Sequence, residues 1–390
     1  MPGTGGQHVE TRLASYYFAY FCYMGAFGIY FPLWLSERGY SPSEIAAVLA
    51  LPQLLRIFAP QAWAWLAERC GASRQIVVLS SALATAVCAL LSLSSNLAEV
   101  FLAVGLMGIL TSGVLPLVEA TTLAVLAGRS GRYGPVRLWG SIGFIASMLG
   151  VGALLDYQPI TVLIPVVVGL MSLAVAAAFG LPALRPRPAD AVRTDWRDTL
   201  KQPGTIALFG ACFCMMVAHG ALFSFYTLHL VGYGYSKSVI GLLWTLGVVA
   251  EITAFACLPW LFQRYSYRTV MLMSFAAATV RFTAIGWGAS TIALLAAAQL
   301  LHAFTFGTYH MASVALVHRL FPGPLEIRGQ ALYASLSYGL GGVCGGLLAG
   351  WTWQAAGAEA TFTLSALFCA AGGAIVAFRL RESTQAAEKS

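Results

Sequence analysis

The sequence predicts an all-α membrane protein in which twelve transmembrane helices form two pseudo-symmetric halves of six. Three observations predict it: a composition too apolar for water, twelve apolar runs of spanning length, and a repeat at half the chain length. Of the 390 residues, 59% are hydrophobic and only 9% charged, and the mean hydropathy is +0.77. Soluble domains carry about 25% charged residues. A globule this poor in charge cannot cover its own surface, so lipid must solvate much of it.

A spanning helix needs about 20 predominantly apolar residues. Runs of that kind, separated by charged or Gly/Pro-containing breaks, lie at 13–35, 43–66, 75–95, 99–127, 135–155, 159–181, 204–231, 238–262, 269–288, 291–318, 328–353 and 359–379. The polar, Gly-rich start leads into the first run with no A-x-A cleavage site, so the first helix is expected to be retained. An even number of crossings puts both termini on one side. Connections after odd-numbered runs hold only Arg38 and Lys237. The remaining connections and the termini hold Arg12, Arg69, Arg74, Arg129, Arg132, Arg185, Arg187, Arg193, Arg197, Lys201, Arg264, Arg268, Arg319, Arg328, Arg379, Arg381 and Lys389, seventeen against two. Cytoplasmic connections carry the excess of cations, so both termini are expected in the cytoplasm. The net charge of +7 is thus a topology signal and points to no nucleic-acid partner. The Arg bias over Lys suits a bacterial inner membrane.

The longest connection, near 182–202, is the one soluble-looking stretch and sits at the chain centre. It reads as a linker between an N-terminal half (1–181) and a C-terminal half (203–390). Shifting the sequence by half its length places Tyr30-Phe31-Pro32-Leu33-Trp34-Leu35 on Phe225-Tyr226-Thr227-Leu228-His229-Leu230. The same shift places Gly39-Tyr40-Ser41-Pro42-Ser43-Glu44-Ile45 on Gly234-Tyr235-Ser236-Lys237-Ser238-Val239-Ile240 without a gap. Parallel six-helix repeats related by an axis along the membrane normal are the architecture of major facilitator transporters, with substrate bound near the midplane. The repeat favours a rocking transporter over a pore, and no enzymatic activity is expected.

The eight cysteines follow no metal-ligand spacing and fall almost entirely within apolar runs. They read as small packing residues. No metal or cofactor is expected, and no Walker-type phosphate loop is present.

A charge at the bilayer centre costs at least ~2.5–3.5 kcal/mol, so each one needs a partner or a task. Five such residues stand inside the runs or at their mouths: Arg56, Glu119, Arg137, Glu251 and Arg281. The repeat superposes Arg56 on Glu251, a cation in one half and a carboxylate in the other. His219 and His229 lie in the seventh run, His302 and His310 in the tenth, with Gln299 one turn before His302. Histidine titrates near physiological pH and so can carry protons; a hydrogen-bonded core role is the alternative. His229 aligns with Trp34 and reads as an interface residue. Aromatics of the first and seventh runs, Tyr23 among them, are able to stack on a planar ring or to pack between helices. The Gly-rich eleventh run suits close helix packing.

Three segments resemble the 3-phenylpropionic acid transporter family of the major facilitator superfamily, related to nucleoside and oligosaccharide proton symporters. They are Tyr133-Gly134-Pro135-Val136-Arg137-Leu138-Trp139-Gly140-Ser141, Leu243-Trp244-Thr245-Leu246-Gly247-Val248-Val249-Ala250-Glu251 and Gln299-Leu300-Leu301-His302-Ala303-Phe304-Thr305-Phe306. Arg56, His219, Arg281 and His310 match residue types of that family. The resemblance covers nearly the whole chain and implies an aromatic carboxylate substrate. Met24-Gly25-Ala26, the Phe31–Leu35 end of the first run, and Val118-Glu119-Ala120 followed by Arg137 are similar to lactose permease. That resemblance implies a Glu119–Arg137 substrate pair with Phe144 where the permease has a stacking Trp. It departs at Thr305, where the permease has its proton-carrying carboxylate, and this makes Glu251 the leading proton site. The loop with Ala67-Glu68-Arg69, Gly71 and Arg74 looks like a degenerate copy of the superfamily's gating motif.

Together these readings give a proton-coupled symporter importing a small organic solute, with 3-phenylpropionate favoured. Sugar or nucleoside symport and proton/drug antiport are the alternatives. Expected substrate residues are Tyr23, Arg56, Glu119, Arg137, Phe144, His219 and Gln299; expected proton-coupling residues are Glu251, Arg281, His302 and His310. Protons, the lipid bilayer and the solute are the expected partners of a monomer.

Overall fold

The computed structural model describes residues 4–127, 130–183 and 197–380. Arg129, Arg185, Arg187, Arg193, Arg381, Lys389 and most of the expected linker lie outside these residues. Among the described residues the secondary structure is helical, with no strand. The spanning helices are α1 (His8–Glu37), α2 (Pro42–Ala67), α3 (Ser73–Leu93), α4 (Leu97–Val125), α5 (Tyr133–Tyr157), α6 (Ile160–Ala178), α7 (Pro203–Gly232), α8 (Lys237–Arg264), α9 (Tyr267–Trp287) and α10 (Ile292–Leu320). The last apolar stretch, Glu326–Arg379, is split at Gly357 (φ 83°, ψ −174°) into α11 (326–356) and α12 (358–379). Twelve helices therefore stand where twelve apolar runs were expected.

Local side chains cap several of these helix starts. Ser41 caps α2 with a reciprocal capping box, its hydroxyl accepting from the Glu44 N–H while the Glu44 carboxylate accepts from the Ser41 N–H. Asn96 caps α4 and Ser266 caps α9 in the ordinary side-chain-to-backbone way. The repeat is legible in the backbone where α1 and α7 end. The Gly39 and Tyr40 N–H groups donate to the carbonyls of Ser36 and Leu35, and those of Gly234 and Tyr235 donate to Val231 and Leu230. Both glycines adopt φ +82°. This is the Schellman ending, which places a left-handed glycine just past the helix.

The two copies diverge inside the second helix of each pair. α2 is interrupted at residues 56–58, whereas α8 is continuous through Glu251. Pro60 fits the break: it offers no N–H to the Arg56 carbonyl and is tolerated in the first turn of the segment that resumes at Ala59. At the matching position α8 has Phe255.

The helices pack as two compact units, Met1–Asp190 with Phe223–Thr245, and Ala191–Leu222 with Leu246–Ser390. In the first, α1 is central: it packs on α5 and α6, α3 lies between α6 and α4, and α2 rests on α4. The α1 side chains Tyr16, Tyr17, Tyr30 and Phe31 are fully buried there. In the second, α9 packs against α10 and the 342–379 stretch. There α7 meets α11 backbone to backbone, so closely that a Cβ on Gly220 would strike the backbone of Gly345. Small residues permit this approach in lipid, where packing rather than water drives helix association.

Replacing Gly39 or Gly234 by Ala puts a Cβ on a left-handed backbone, at about 1–2 kcal/mol each. Thermal unfolding in detergent should show similar losses for the two variants. An unchanged or raised midpoint would contradict the shared geometry.

Candidate functional site: two charged clusters

In the first unit Glu119 and Arg137 meet beside α1. Arg137 enters from the first turn of α5 and Glu119 from the middle of α4, with Nε and Oε1 3.9 Å apart. Both side chains remain about one-third exposed, at 31% and 36%. At that separation the pair attracts but is not hydrogen-bonded. The guanidinium carbon lies 4.1 Å over the Phe21 ring and 5.5 Å from that of Tyr17. Tyr17 is oriented in turn by α4: Thr122 donates its hydroxyl hydrogen to the Val118 carbonyl, so Tyr17 O–H donates to Thr122 Oγ1 at 3.1 Å. Gly140 leaves the slot in which the guanidinium lies, since a Cβ there would sit 2.6 Å from Arg137 Nη1 and 2.8 Å from the Phe21 ring.

Phe144 lies on the Arg137 face of α5, two turns further on, half-buried against α1 at Gly25. Arg56 occupies the α2 break, exposed. Among the described residues neither Arg56 nor Arg137 donates a side-chain hydrogen bond. Tyr23 does not join this group. It turns with Tyr20 toward the bundle interior, where Ser81, Thr85 and Thr111 line a small void beside them.

The second unit gathers Glu251, Arg281, Gln299, His302 and His219. Arg281 is fully buried on α9. Its Nη1 donates to Thr305 Oγ1 at 2.9 Å and its Nη2 to Gln299 Oε1 at 3.1 Å. These two α10 residues bracket His302, whose Nε2 lies 3.7 Å from Glu251 Oε2 and whose ring stacks on Phe306 at 5.4 Å. His219 pairs Nδ1 with the Met215 carbonyl at 2.8 Å and sets its ring against Phe282 and Phe306. A carbonyl only accepts, so that nitrogen carries the proton. α10 widens to a π-helix over Ala303–Thr308, and Gly307 there leaves space for the Glu251 side chain. π-helical turns are rare and often occur at functional sites. His310 stands apart, its Nδ1 3.1 Å and 3.0 Å from the hydroxyls of Tyr333 and Tyr338 on α11. α11 is itself π-helical over Ala334–Gly341.

Phe21, Gly140, Phe306, Tyr333 and Tyr338 are additions that sequence reasoning missed. Their signal was faint: an aromatic one turn beyond Tyr17, and a glycine three residues after a membrane arginine.

A helical bundle of this length and apolarity, with opposed charges carried inside its spans, is that of an integral membrane protein with a polar task inside the bilayer. The chain belongs to the MFS_1 like family, whose model matches residues 10–364. It is 30% identical over 342 residues to the probable 3-phenylpropionic acid transporter of Escherichia coli (strain K12), covering 85% of this chain and 88% of that protein. It is 24% identical to the maltose permease of Geobacillus stearothermophilus, covering 95% of each. Among solved structures, a mutant of the nucleoside transporter NupG superposes with TM-score 0.84 at 16% identity, over 94% of this chain and 98% of that one. A bacterial homologue of the human lysosomal transporter Spinster, inward-facing and unoccupied, gives 0.71 at 14% identity over 96% and 97%. These relatives are named as transporters or permeases.

Gly140→Ala should dislodge the Arg137 guanidinium from Phe21, a contact worth about 0.5–2 kcal/mol. The thermal unfolding midpoint in detergent should fall accordingly. A midpoint equal to the parent's would show that Gly140 does not position Arg137.

Proposed function

We propose that this transporter is a proton-coupled symporter that imports an aromatic carboxylate, such as 3-phenylpropionate, by alternating access. Residues 1–181 and 203–390 act as the two moving halves about the 182–202 linker. The protein works as a monomer in a bacterial inner membrane, with both termini cytoplasmic.

The observation that carries the reading is the pair of unengaged guanidinium forks. Arg137 rests on Phe21 beyond hydrogen-bonding distance of Glu119, and Arg56 sits at a helix break. A planar carboxylate fits such a fork bidentately. Phe144 and Phe21 offer apolar faces for the ring. The likeness to the probable 3-phenylpropionic acid transporter supports the same class. One observation favours a second reading. Glu119 beside Arg137 supplies an acceptor for hydroxyl groups, which suits a sugar or nucleoside, and relatives include a maltose permease and a putative nucleoside transporter. Export by proton/drug antiport is the remaining alternative.

The proton resides on Glu251. Its carboxylate faces His302, and Arg281 is anchored to the same α10 segment through Gln299 and Thr305. An arginine that approaches a buried carboxylate favours its ionised form, and withdrawal favours protonation. Arg281 is thus the displacing charge, while His219, His302 and His310 serve as relay or ligand.

Proteoliposomes with and without a proton gradient separate the readings when offered labelled 3-phenylpropionate, maltose and a nucleoside. Gradient-driven accumulation of the aromatic acid alone supports the assignment; accumulation of sugar or nucleoside instead overturns it. Arg137→Lys, which keeps the charge but loses the fork, should reduce transport at low substrate by roughly ten- to a hundred-fold, for about 1.5–3 kcal/mol of charged hydrogen bonding. Glu251→Gln should still exchange substrate at equilibrium yet fail to accumulate it. Accumulation surviving in that variant would move the proton to Glu119 or a histidine.

A further inference from the structure

The start of α8 is a copy of the start of α2 that keeps the serine cap but lacks the carboxylate half of the capping box. In α2, Pro42 has no N–H to satisfy and Glu44 completes the capping box with Ser41. Half a chain later these positions are Lys237 and Val239. The Ser236 hydroxyl still accepts from the Val239 N–H at 3.3 Å. The N–H groups of Lys237 and Ser238, however, have no partner of their own in the helix.

Both are taken by α5. Asp156 Oδ1 accepts from the Lys237 N–H at 2.6 Å and Oδ2 from the Ser238 N–H at 3.0 Å. A carboxylate at a helix start is favoured twice, by these bonds and by the positive end of the helix dipole. The contact is built to be close. The Tyr30 hydroxyl, wholly buried, reaches the Met148 carbonyl of α5 at 2.8 Å and the Lys237 carbonyl of α8 at 3.2 Å. It has one hydrogen to share between the two helices. A Cβ on Gly152 would lie 2.7 Å from the Lys237 carbonyl, and one on Gly241 would lie 2.7 Å from the Met148 carbonyl and 3.0 Å from the Tyr30 hydroxyl. Two glycines on facing helices thus admit a phenol and two carbonyls into one crossing. The position half a chain after Asp156 is Trp351, so this carboxylate cap occurs once and not in both copies.

We propose that Asp156 is a releasable cap: it latches the first turn of α8 to α5 and Tyr30 in the conformation seen here, and lets go when the transporter opens the face opposite its termini. The proposal rests on the alternating-access reading but not on any substrate. A cap lent by another helix, unlike one made by the helix's own residues, is lost when the two part. Breaking the latch therefore shifts the population toward the open state, whereas supplying α8 with a local cap repairs the helix without closing the face.

Spin labels at Tyr157 on α5 and Leu242 on α8, both exposed, report this separation in reconstituted protein whose eight cysteines have been replaced. The parent should show a predominant short distance, and Asp156→Ala a population shifted to longer ones. Adding Val239→Glu to that variant gives the start of α8 a carboxylate of its own, accepting from the Ser236 N–H as Glu44 does from Ser41 in α2; it should recover part of the lost unfolding temperature, through the helix dipole, while the distance stays long. If Asp156→Ala does not fold, this double variant and Tyr30→Phe, which deletes only the shared hydroxyl, carry the measurement. A distance distribution like the parent's in these variants would overturn the proposal and leave Asp156 as a stabilising cap only. Absent uptake of 3-phenylpropionate would leave these distances unaffected, so the two readings fail separately.

Discussion

Every charge inside the spans of this protein has to be reconciled with hydrocarbon, and that constraint organises the rest of the structure. A centred charge costs at least ~2.5–3.5 kcal/mol even where water and snorkelling relieve it. The two units meet the demand differently. In the first, Arg137 is laid over Phe21, kept partly exposed and held at a distance from Glu119. In the second, Arg281 is wholly buried and two of its N–H groups go to Gln299 and Thr305. One arrangement leaves donors available to an anion. The other immobilises a cation beside the segment of α10 that faces Glu251.

The backbone takes part in this arrangement. α2 breaks where it presents Arg56, and α10 and α11 widen into π-helix where they present Thr305, Gly307 and Tyr338. A regular helix would have continued past each of these points. Breaks and π-turns give up regular hydrogen bonds, which is costly in lipid unless neighbours re-satisfy the freed groups. These irregular turns lie at Arg56 and beside the partners of Arg281, Glu251 and His310, which fits sites that must rearrange during a transport cycle.

Much of the architecture was legible in the sequence, because hydrophobic run length and the half-chain repeat are direct consequences of crossing a bilayer twelve times. Gly39 and Gly234, aligned by sequence, end their helices with the same backbone hydrogen bonds. The proximity of Glu119 to Arg137 was also legible, through resemblance. The interruption of α2 was not: Pro60 was visible, but a single proline in a membrane helix can kink, break or be absorbed. Nor were the tyrosines that bind His310 or the ring beneath Arg137, since these are contacts between helices whose rotation no run of apolar residues specifies. Asp156 was overlooked for the same reason. At the end of an apolar run it reads as an ordinary boundary residue, and only its bonds to the first two N–H groups of α8 reveal its use.

In the proposed symporter, anion binding at the arginines and proton binding at Glu251 have to be thermodynamically linked. Calorimetric titration of the purified protein with 3-phenylpropionate, repeated in buffers of different ionisation enthalpy, measures that linkage without reconstitution. The account predicts net proton uptake on binding, visible as a binding enthalpy that changes with buffer, and its loss in Glu251→Gln. A binding enthalpy independent of buffer in the unaltered protein would contradict it.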